Sequence, residues 1–178
     1  VKLYIGAKLQ PAKLYLLERQ TEGNLLEAGS RVLAQLIIDS PISCCRGDRF
    51  ILRDSSESTT LGGGIVLDPH AGYSPKLSDK GKNYLLAMEL PTPQETLQKL
   101  LIDQQQTVNL SQFKQACNLQ DVDLAAVLQQ ADLLDKTKAF SLRGQEYLVA
   151  KQYWENAEKV IVDAVQGWHK ENLAAEGI

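Results

Sequence analysis

The sequence predicts an α+β protein of two domains, in which an antiparallel β-barrel is followed by a winged helix and a long C-terminal helix. Short stretches of alternating apolar and polar residues, separated by turn-forming residues, fill the chain up to residue 68. After a segment containing Pro and Gly, residues 69–77, apolar residues recur at helical spacing behind helix-start signals. Strands followed by helices are typical of α+β proteins or of separate domains.

The 178-residue chain has room for one large domain or two small ones. We place the β-barrel at residues 1–73, the winged helix at 74–146, and a long helix leading into a truncated second winged helix at 147–178. The chain begins within a strand pattern and without Met, and the second half of the last helix carries an uncovered apolar stripe. Both features lead us to expect a piece of a longer protein.

The clearest strand signal is a hairpin over residues 47–69. Phe50 and Leu52 alternate with more polar neighbours, as in a strand with one buried face. Residues 55–59 are small, polar or acidic and predict an exposed connection. Gly62 to Gly64 open the return strand, where we expect a bulge, a bend or a close approach of another backbone or a ligand. Further strands are predicted over residues 2–8, 13–17 and 31–38.

The second half predicts the element order of a winged helix. Ser78 caps a helix to about Met88, and Thr92 with Glu95 forms a capping box that starts the next helix. Later helices are predicted at 109–117 and 121–131, with a single sheet bridge at 107–108. A hairpin is predicted over 133–142, with its turn at 135–138, and the long helix from Gln145 to about residue 172. A two-helix turn directly before a small hairpin is typical of winged helices.

The charge pattern argues against DNA binding by this module. The net charge is −3, and no general basic footprint for phosphates is present. The helix that would enter the major groove, about residues 120–130, carries Asp121 and Asp123 and no Lys or Arg. The hairpin offers only Lys136 and Lys138. A spacer or docking role is therefore favoured for the winged helix.

No catalytic or metal-binding pattern is found in the sequence. His70 and His169 have no Cys, Asp or Glu at metal-ligand spacing, and no G-x-x-x-x-G-K-[ST] phosphate loop is present. We therefore expect no catalytic residue and no metal ligand within this chain.

The sequence also indicates the cellular compartment in which the protein is expected. No apolar run approaches the roughly 20 residues of a membrane helix, so we expect no membrane partner. Cys44, Cys45 and Cys117 have the spacing of neither a disulfide framework nor a zinc site, which favours a reducing cytoplasm.

Two stretches carry a family resemblance. GDRFILRD at 47–54 and T-L-G-G-G-I-V-L-D-P at 60–69, with the polar loop between them, resemble the last strands of the third domain of elongation factors of the Tu type. The Leu67-Asp68-Pro69 exit is similar to that of selenocysteine-specific elongation factors, the SelB family. Residues 108–113 and the helix order resemble the first winged helix of bacterial members, so the resemblance spans nearly the whole chain.

The resemblance implies a function in translation. Members of this family deliver selenocysteyl-tRNA to the ribosome at UGA codons marked by an mRNA hairpin. A GTPase domain that binds GTP and Mg and a second barrel come first, and the last of four winged helices grips the mRNA. The present stretch would support tRNA contact and link the GTPase body to the mRNA-binding tail, with no cofactor of its own.

By position, the resemblance places Asp54 and Ser55 against the T stem of the tRNA, with Arg53 and Thr60 as nearby contact candidates. The loop here reads Ser-Ser-Glu-Ser where family members often have an aromatic residue and a proline. Arg53 is equally explained as an exposed strand residue paired with an acid. The alternative function is a winged-helix interaction module or a DNA-binding regulator, whose DNA affinity would depend on Gln120 or Lys138.

Overall fold

A computed structural model describes residues 1–17, 26–72 and 77–171. The chain divides into two compact units, Val1–Leu90 with Gln115–Leu119, and Pro91–Lys114 with Gln120–Ile178. The domain boundaries drawn from the sequence stay predictions. In the described part of the chain, no helix is long and apolar enough to cross a membrane.

The first unit is built on a five-stranded antiparallel sheet. Its strands are β1 (Lys2–Ile5), β2 (Lys8–Leu16), β3 (Ala34–Ile38), β4 (Arg49–Arg53) and β5 (Thr60–Ile65). They lie in the order β3-β2-β1-β4-β5, so that β3 and β5 are the edges among the described strands. The sheet is curled into a half-barrel. The predicted α+β class with an antiparallel β domain is confirmed.

The core of this sheet follows from the alternation of side chains. Leu3, Ile5, Ala12 and Leu52 are buried together because strand side chains point alternately to the two faces. Partly buried apolar residues from β2, β3, β4 and the segments beside the strands surround them. They are Val1, Leu14, Leu36, Ile38, Ile42, Cys44, Phe50 and Val66. The alternate side chains of these strands therefore point away from this core.

Two strand predictions need correction. The stretch 2–8 was expected to be one strand, but β1 ends at Ile5 and β2 begins at Lys8. Gly6 has a φ of 54° and makes the turn between them. The stretch 13–17 is the second half of the longer strand β2. The expectation was wrong because Gly6 breaks a pattern that otherwise reads as one continuous strand.

The helix predicted to start after Ser78 is present as α1 (Asp79–Met88), and it belongs to the first unit. The Ser78 hydroxyl accepts a hydrogen bond from the backbone N–H of Gly81 at 3.1 Å. Ala87 and Met88 are each 1% exposed, so the end of the helix is fully covered. Tyr84 donates a hydrogen bond to Asp68, and burial, followed by the charge of Asp68, raises the pKa of the Tyr84 hydroxyl.

Arg46 holds the C-terminal end of α1. Its Nε donates to the carbonyl of Met88 at 2.8 Å, and its guanidinium also donates to the carbonyl of Leu90. Its backbone N–H donates to the carbonyl of Ala116 at 2.7 Å, and a guanidinium nitrogen lies 3.7 Å from the sulfur of Cys117. Carbonyls at a helix end have no partner within the helix, and the arginine satisfies that of Met88 and, two residues beyond the helix, that of Leu90.

The remaining elements form a helical block with a small sheet. They are α2 (Pro93–Gln98), a π-helical segment (Lys99–Asp103), β6 (Val108–Asn109), α3 (Leu110–Cys117), α4 (Asp121–Gln130), β7 (Thr137–Leu142), β8 (Gln145–Ala150) and α5 (Lys151–Glu171). The sheet order is β6-β8-β7. The predicted capping box of Thr92 and Glu95 is present at the start of α2. Leu97, Leu100, Leu101 and Leu133 are 0% exposed and mark the core of the second unit.

The predicted hairpin at 133–142 and the predicted start of the long helix at Gln145 were wrong. The hairpin pairs β7 with β8, and its turn is Arg143-Gly144, with φ values of 52° and 75°. Two consecutive positive φ values suit a tight two-residue hairpin turn. Residues 145–150 form a strand because Leu148, Val149 and Ala150 are buried in the sheet, and α5 begins only at Lys151.

The glycines of β5 accommodate Phe50. A Cβ on Gly63 would lie 2.7 Å from the carbonyl oxygen of Phe50, and one on Gly64 would lie 2.5 Å from its ring. The register between β4 and β5 also shifts at Leu52 and Arg53, which is the expected irregularity. A close approach of another backbone, one of the three expectations for this triplet, is therefore confirmed.

Replacing Gly63→Ala should destabilise the protein by about 1–3 kcal/mol, because the new methyl group meets a backbone atom that cannot move alone. Gly62→Ala is the matched control, since its Cβ would meet nothing within 4 Å. Its effect should stay within about 0.5 kcal/mol. Urea unfolding of both variants measures the difference, and equal free energies of unfolding would contradict this account.

Replacing Arg46→Met should lower the free energy of unfolding by about 2–4 kcal/mol, because buried carbonyls lose charged donors. Arg31→Gln serves as the control, since Arg31 is 80% exposed and pairs with Glu89 at 3.3 Å on the surface. An exposed ion pair of this kind contributes roughly 0–1 kcal/mol. If both variants unfold at the same urea concentration, Arg46 does not hold this unit together.

Candidate functional site

The candidate site is the connection between β4 and β5, residues 54–59. The Asp54 carboxylate accepts hydrogen bonds from the hydroxyls of Ser56 at 2.5 Å and Ser58 at 2.7 Å, and from the backbone N–H of Thr59 at 2.9 Å. The backbone of Asp54 closes the loop through a 3.0 Å bond to the carbonyl of Thr59. Asp54 therefore acts as the internal anchor of the loop.

These bonds set the charge of Asp54. The hydrogen bond from Ser56, then those from the Thr59 backbone and Ser58, lower the pKa of the Asp54 carboxyl to about 2. The group is therefore ionised throughout the neutral range. Its negative charge is turned towards donors of its own loop.

Glu57 is folded back over the sheet. It has a φ of 61°, a left-handed conformation that is uncommon outside glycine. Its carboxylate accepts a 2.6 Å hydrogen bond from the Tyr4 hydroxyl and lies 3.8 Å from the Lys2 ammonium. The hydrogen bond to Glu57 raises the pKa of Tyr4. Glu57 thus neutralises part of a cationic neighbourhood.

Arg53 is the last residue of β4, the strand that lies between β1 and β5. It is opposite Thr60 on β5 and opposite Lys2 on β1. Two like charges directly across a pair of strands disfavour the pairing. The Arg53 Nε is also buried without a hydrogen-bond partner.

The structure places the four predicted contact residues at one end of the β4–β5 hairpin. Arg53 and Thr60 face each other across the strands, Asp54 follows Arg53, and the exposed Ser55 begins the loop. Within the described ranges no ion pair of Arg53 with an acid is found. Sequence reasoning did not include Lys2, because a residue some fifty positions away enters only through the β1–β4 pairing.

The residues of the alternative DNA-binding site lie in the second unit. Helix α4 contains Asp121 and Asp123 and no Lys or Arg, and Asp121 pairs with Lys114. Lys138 lies 3.7 Å from Glu158 and 4.3 Å from the centroid of the Trp154 ring. Its charge is therefore already engaged by side chains of the same unit.

Residues that could hold a metal do not cluster in residues 1–17, 26–72 and 77–171, where no group of three or more His, Cys, Asp or Glu is found. The three cysteines are present as thiols. Burial raises the pKa of Cys44 and of Cys117, so these two thiols are poor nucleophiles.

The carboxyl of Asp54 should titrate with a midpoint at about pH 2 in the folded protein. A lowered pKa means that Asp54 contributes stability above its unfolded value, about 3.9, and loses this contribution as the pH falls towards 2. Carbon-detected NMR of the side-chain carboxyl measures the midpoint. Ser56→Ala should move it upwards, whereas Ser43→Ala should leave it unchanged. An Asp54 midpoint near 3.9 in the unsubstituted protein would show that the loop bonds are absent.

Comparisons with known proteins agree with the sequence resemblance. Residues 1–73 match the family described as "Selenocysteine-specific elongation factor, beta-barrel domain". The chain is 24% identical over 179 residues to the selenocysteine-specific elongation factor of Haemophilus influenzae. The alignment covers 100% of this chain and 27% of that protein, so the chain spans about a quarter of the length of this relative. These matches confirm the resemblance: the chain is similar to a selenocysteine-specific elongation factor, and residues 1–73 are similar to the β-barrel domain of that family.

Proposed function

We propose that this chain is part of a selenocysteine-specific translation elongation factor, in which it contacts selenocysteyl-tRNA and connects the GTPase body to the mRNA-binding tail. The observation that carries the tRNA contact is the position of Arg53 directly opposite Lys2, so that two cations face each other across β1 and β4. A phosphate group could accept from Arg53 and offset the repulsion between the two cations. The match of residues 1–73 to the β-barrel domain of this family supports the choice of RNA as the source of that phosphate.

The four candidate residues take different roles in this proposal. Arg53 donates to a phosphate, and the hydroxyls of Ser55 and Thr60, both exposed, donate beside it. Contacts of this kind to the RNA backbone position the protein on the RNA but do not recognise the nucleotide sequence. Asp54 shapes the loop and does not itself bind RNA, since its oxygens already accept three hydrogen bonds.

The connecting role is proposed for the second unit. The order α2, β6, α3, α4, β7 and β8, with β8 between β6 and β7, supports a winged helix. The acidic start of α4 makes a groove-reading function unfavourable, because groove readers gain affinity from neutralised phosphates. A module of this kind serves better as a spacer or protein-docking element.

The remaining partners belong to the whole protein. In this proposal a GTPase domain elsewhere binds GTP and Mg, and C-terminal domains bind the mRNA hairpin. The ribosome is the shared partner, and the cytoplasm is the compartment. In this proposal the β-barrel domain of residues 1–73 does not itself catalyse a reaction. The alternative of a DNA-binding regulator is not favoured, because Lys138 is engaged and α4 has no cation.

Arg53→Gln should weaken binding of a fluorescein-labelled RNA hairpin, carrying the T-stem sequence of selenocysteine tRNA, by about 5- to 10-fold. One charge-assisted contact is worth roughly 1.5–3 kcal/mol when buried and less at a surface. Fluorescence anisotropy at low salt gives the dissociation constants. Lys138→Gln is the matched loss of one charge and should leave the affinity unchanged. Salt-dependent binding of duplex DNA that is lost on changing Gln120 or Lys138 would instead support the regulator.

A further inference from the structure

We propose that Cys45 and Cys117 form an oxidative modification site, at which a peroxide converts the two thiols into a disulfide. The bond would fasten the end of α3 to the connection between β3 and β4. Both cysteines belong to the first unit, which contains Gln115–Leu119 together with Val1–Leu90. Both are partly exposed and present as thiols. The site is separate from the β4–β5 loop and does not depend on the proposed function.

The backbone brings the two cysteines close together. The N–H of Arg46, the residue after Cys45, donates a 2.7 Å hydrogen bond to the carbonyl of Ala116, the residue before Cys117. In a trans peptide the amide nitrogen lies about 2.4 Å from the preceding α-carbon, and the carbonyl oxygen about 2.8 Å from the following one. The α-carbons of Cys45 and Cys117 are therefore at most about 8 Å apart. Disulfides usually join α-carbons that are roughly 4.4–6.8 Å apart, so a small adjustment is enough to reach this range.

The side chains support the same pairing. A guanidinium nitrogen of Arg46 lies 3.7 Å from the sulfur of Cys117, so this sulfur lies beside the β3–β4 connection. Burial raises the pKa of Cys117, the Arg46 guanidinium lowers it, and the neighbouring thiol of Cys45 raises it. Electrostatic influence falls with distance, and the influence of Cys45 therefore agrees with the backbone contact.

Cys44 is the competing thiol and is less well placed. It packs against the buried core of the five-stranded sheet, and burial raises its pKa. A bond between the adjacent Cys44 and Cys45 is also disfavoured, because consecutive α-carbons are only about 3.8 Å apart, which is closer than in ordinary disulfides. The geometry therefore selects Cys117 as the partner of Cys45.

The reaction balances with hydrogen peroxide as the oxidant. The thiolate of Cys45 attacks one peroxide oxygen, the O–O bond breaks, and a sulfenic acid and one water form. The thiolate of Cys117 then attacks the sulfur of Cys45, and hydroxide leaves and takes up a proton as the second water. Two thiols thus lose two electrons and two protons, and one peroxide becomes two waters.

The surroundings of Cys117 suit the second step of this reaction. Burial makes Cys117 a poor nucleophile towards dissolved reagents, but its attack on Cys45 is intramolecular and gains from proximity. The guanidinium of Arg46 favours the thiolate that this attack requires. Cys45 is therefore the residue that meets the peroxide, and Cys117 is the residue that resolves the sulfenic acid.

The disulfide would strengthen the attachment of a short segment. Gln115–Leu119 belong to the first unit, whereas the residues on both sides, 91–114 and 120–178, belong to the second. The bonds that Arg46 makes to Ala116 and Cys117 connect this segment to the β3–β4 connection. A cross-link between residues so distant in the sequence restricts the unfolded chain strongly, so oxidation should stabilise the first unit.

The test treats the reduced 178-residue chain with hydrogen peroxide and stops the reaction with catalase. Two of the three thiols should be lost, as counted with a thiol reagent in denaturant. Mass spectrometry of a non-reduced digest should show the peptide of Cys45 joined to that of Cys117. The midpoint of thermal unfolding should rise by roughly 5–10 °C and return to its starting value with dithiothreitol.

Single substitutions identify the pair. Cys44→Ser is the matched control and should keep both the cross-linked peptide and the rise in midpoint. Cys45→Ser should lose both, with its own reduced form as the baseline for stability. A cross-link that contains Cys44, a disulfide between two chains on a non-reducing gel, or oxidation to sulfonic acid without a cross-link would each overturn the site. A Cys45–Cys117 bond that leaves the midpoint unchanged or lowers it would overturn the fastening role.

Discussion

The first unit depends on the guanidinium of Arg46. A sheet from a stretch of some seventy residues buries little of its own surface, so such a domain gains from additional packing. Arg46 provides it by donating to the carbonyls of Met88 and Leu90 with its side chain and to that of Ala116 with its backbone. Only arginine carries five donors in a fixed planar fork. A lysine could reach one of these oxygens but could not hold the end of α1 in one orientation.

The distribution of charge in the first unit results from the fold and not from the amino-acid composition. Residues 1–73 contain eight Lys or Arg and eight Asp or Glu, and so are neutral as a sequence. Folding places five of these eight cations, Lys2, Lys8, Lys13, Arg49 and Arg53, on strands, and the described acids in the connections. A neutral domain thereby acquires one cationic face. The like-charged pair of Lys2 and Arg53 costs free energy in the isolated chain, and such local conflicts are expected where a protein binds a partner.

Elements that depend on residues close in the sequence were predicted correctly, whereas the pairing of strands distant in the sequence was not. The caps at Ser78 and Thr92 and the strand pattern around Phe50 depend on residues a few positions apart, and all are present. The hairpin of β7 and β8 was missed because Asp135 and Lys136 resemble a turn, whereas the Arg143-Gly144 turn needs two positive φ values. Lys2 was missed at the candidate site because only the β1–β4 register brings it opposite Arg53.

Two carboxylates at the end of a cationic face would repel a polyanion unless their charges were directed elsewhere. The oxygens of Asp54 accept hydrogen bonds from Ser56, Ser58 and Thr59, so its charge is held by donors within the loop. Glu57 lies against Tyr4 and Lys2 and leaves Arg53 as the cation without an acidic partner among the described residues. The acids thus order the loop, and Glu57 reduces the repulsion between Lys2 and Arg53. These contacts explain how a loop that contains serine and glutamate can border the proposed tRNA contact.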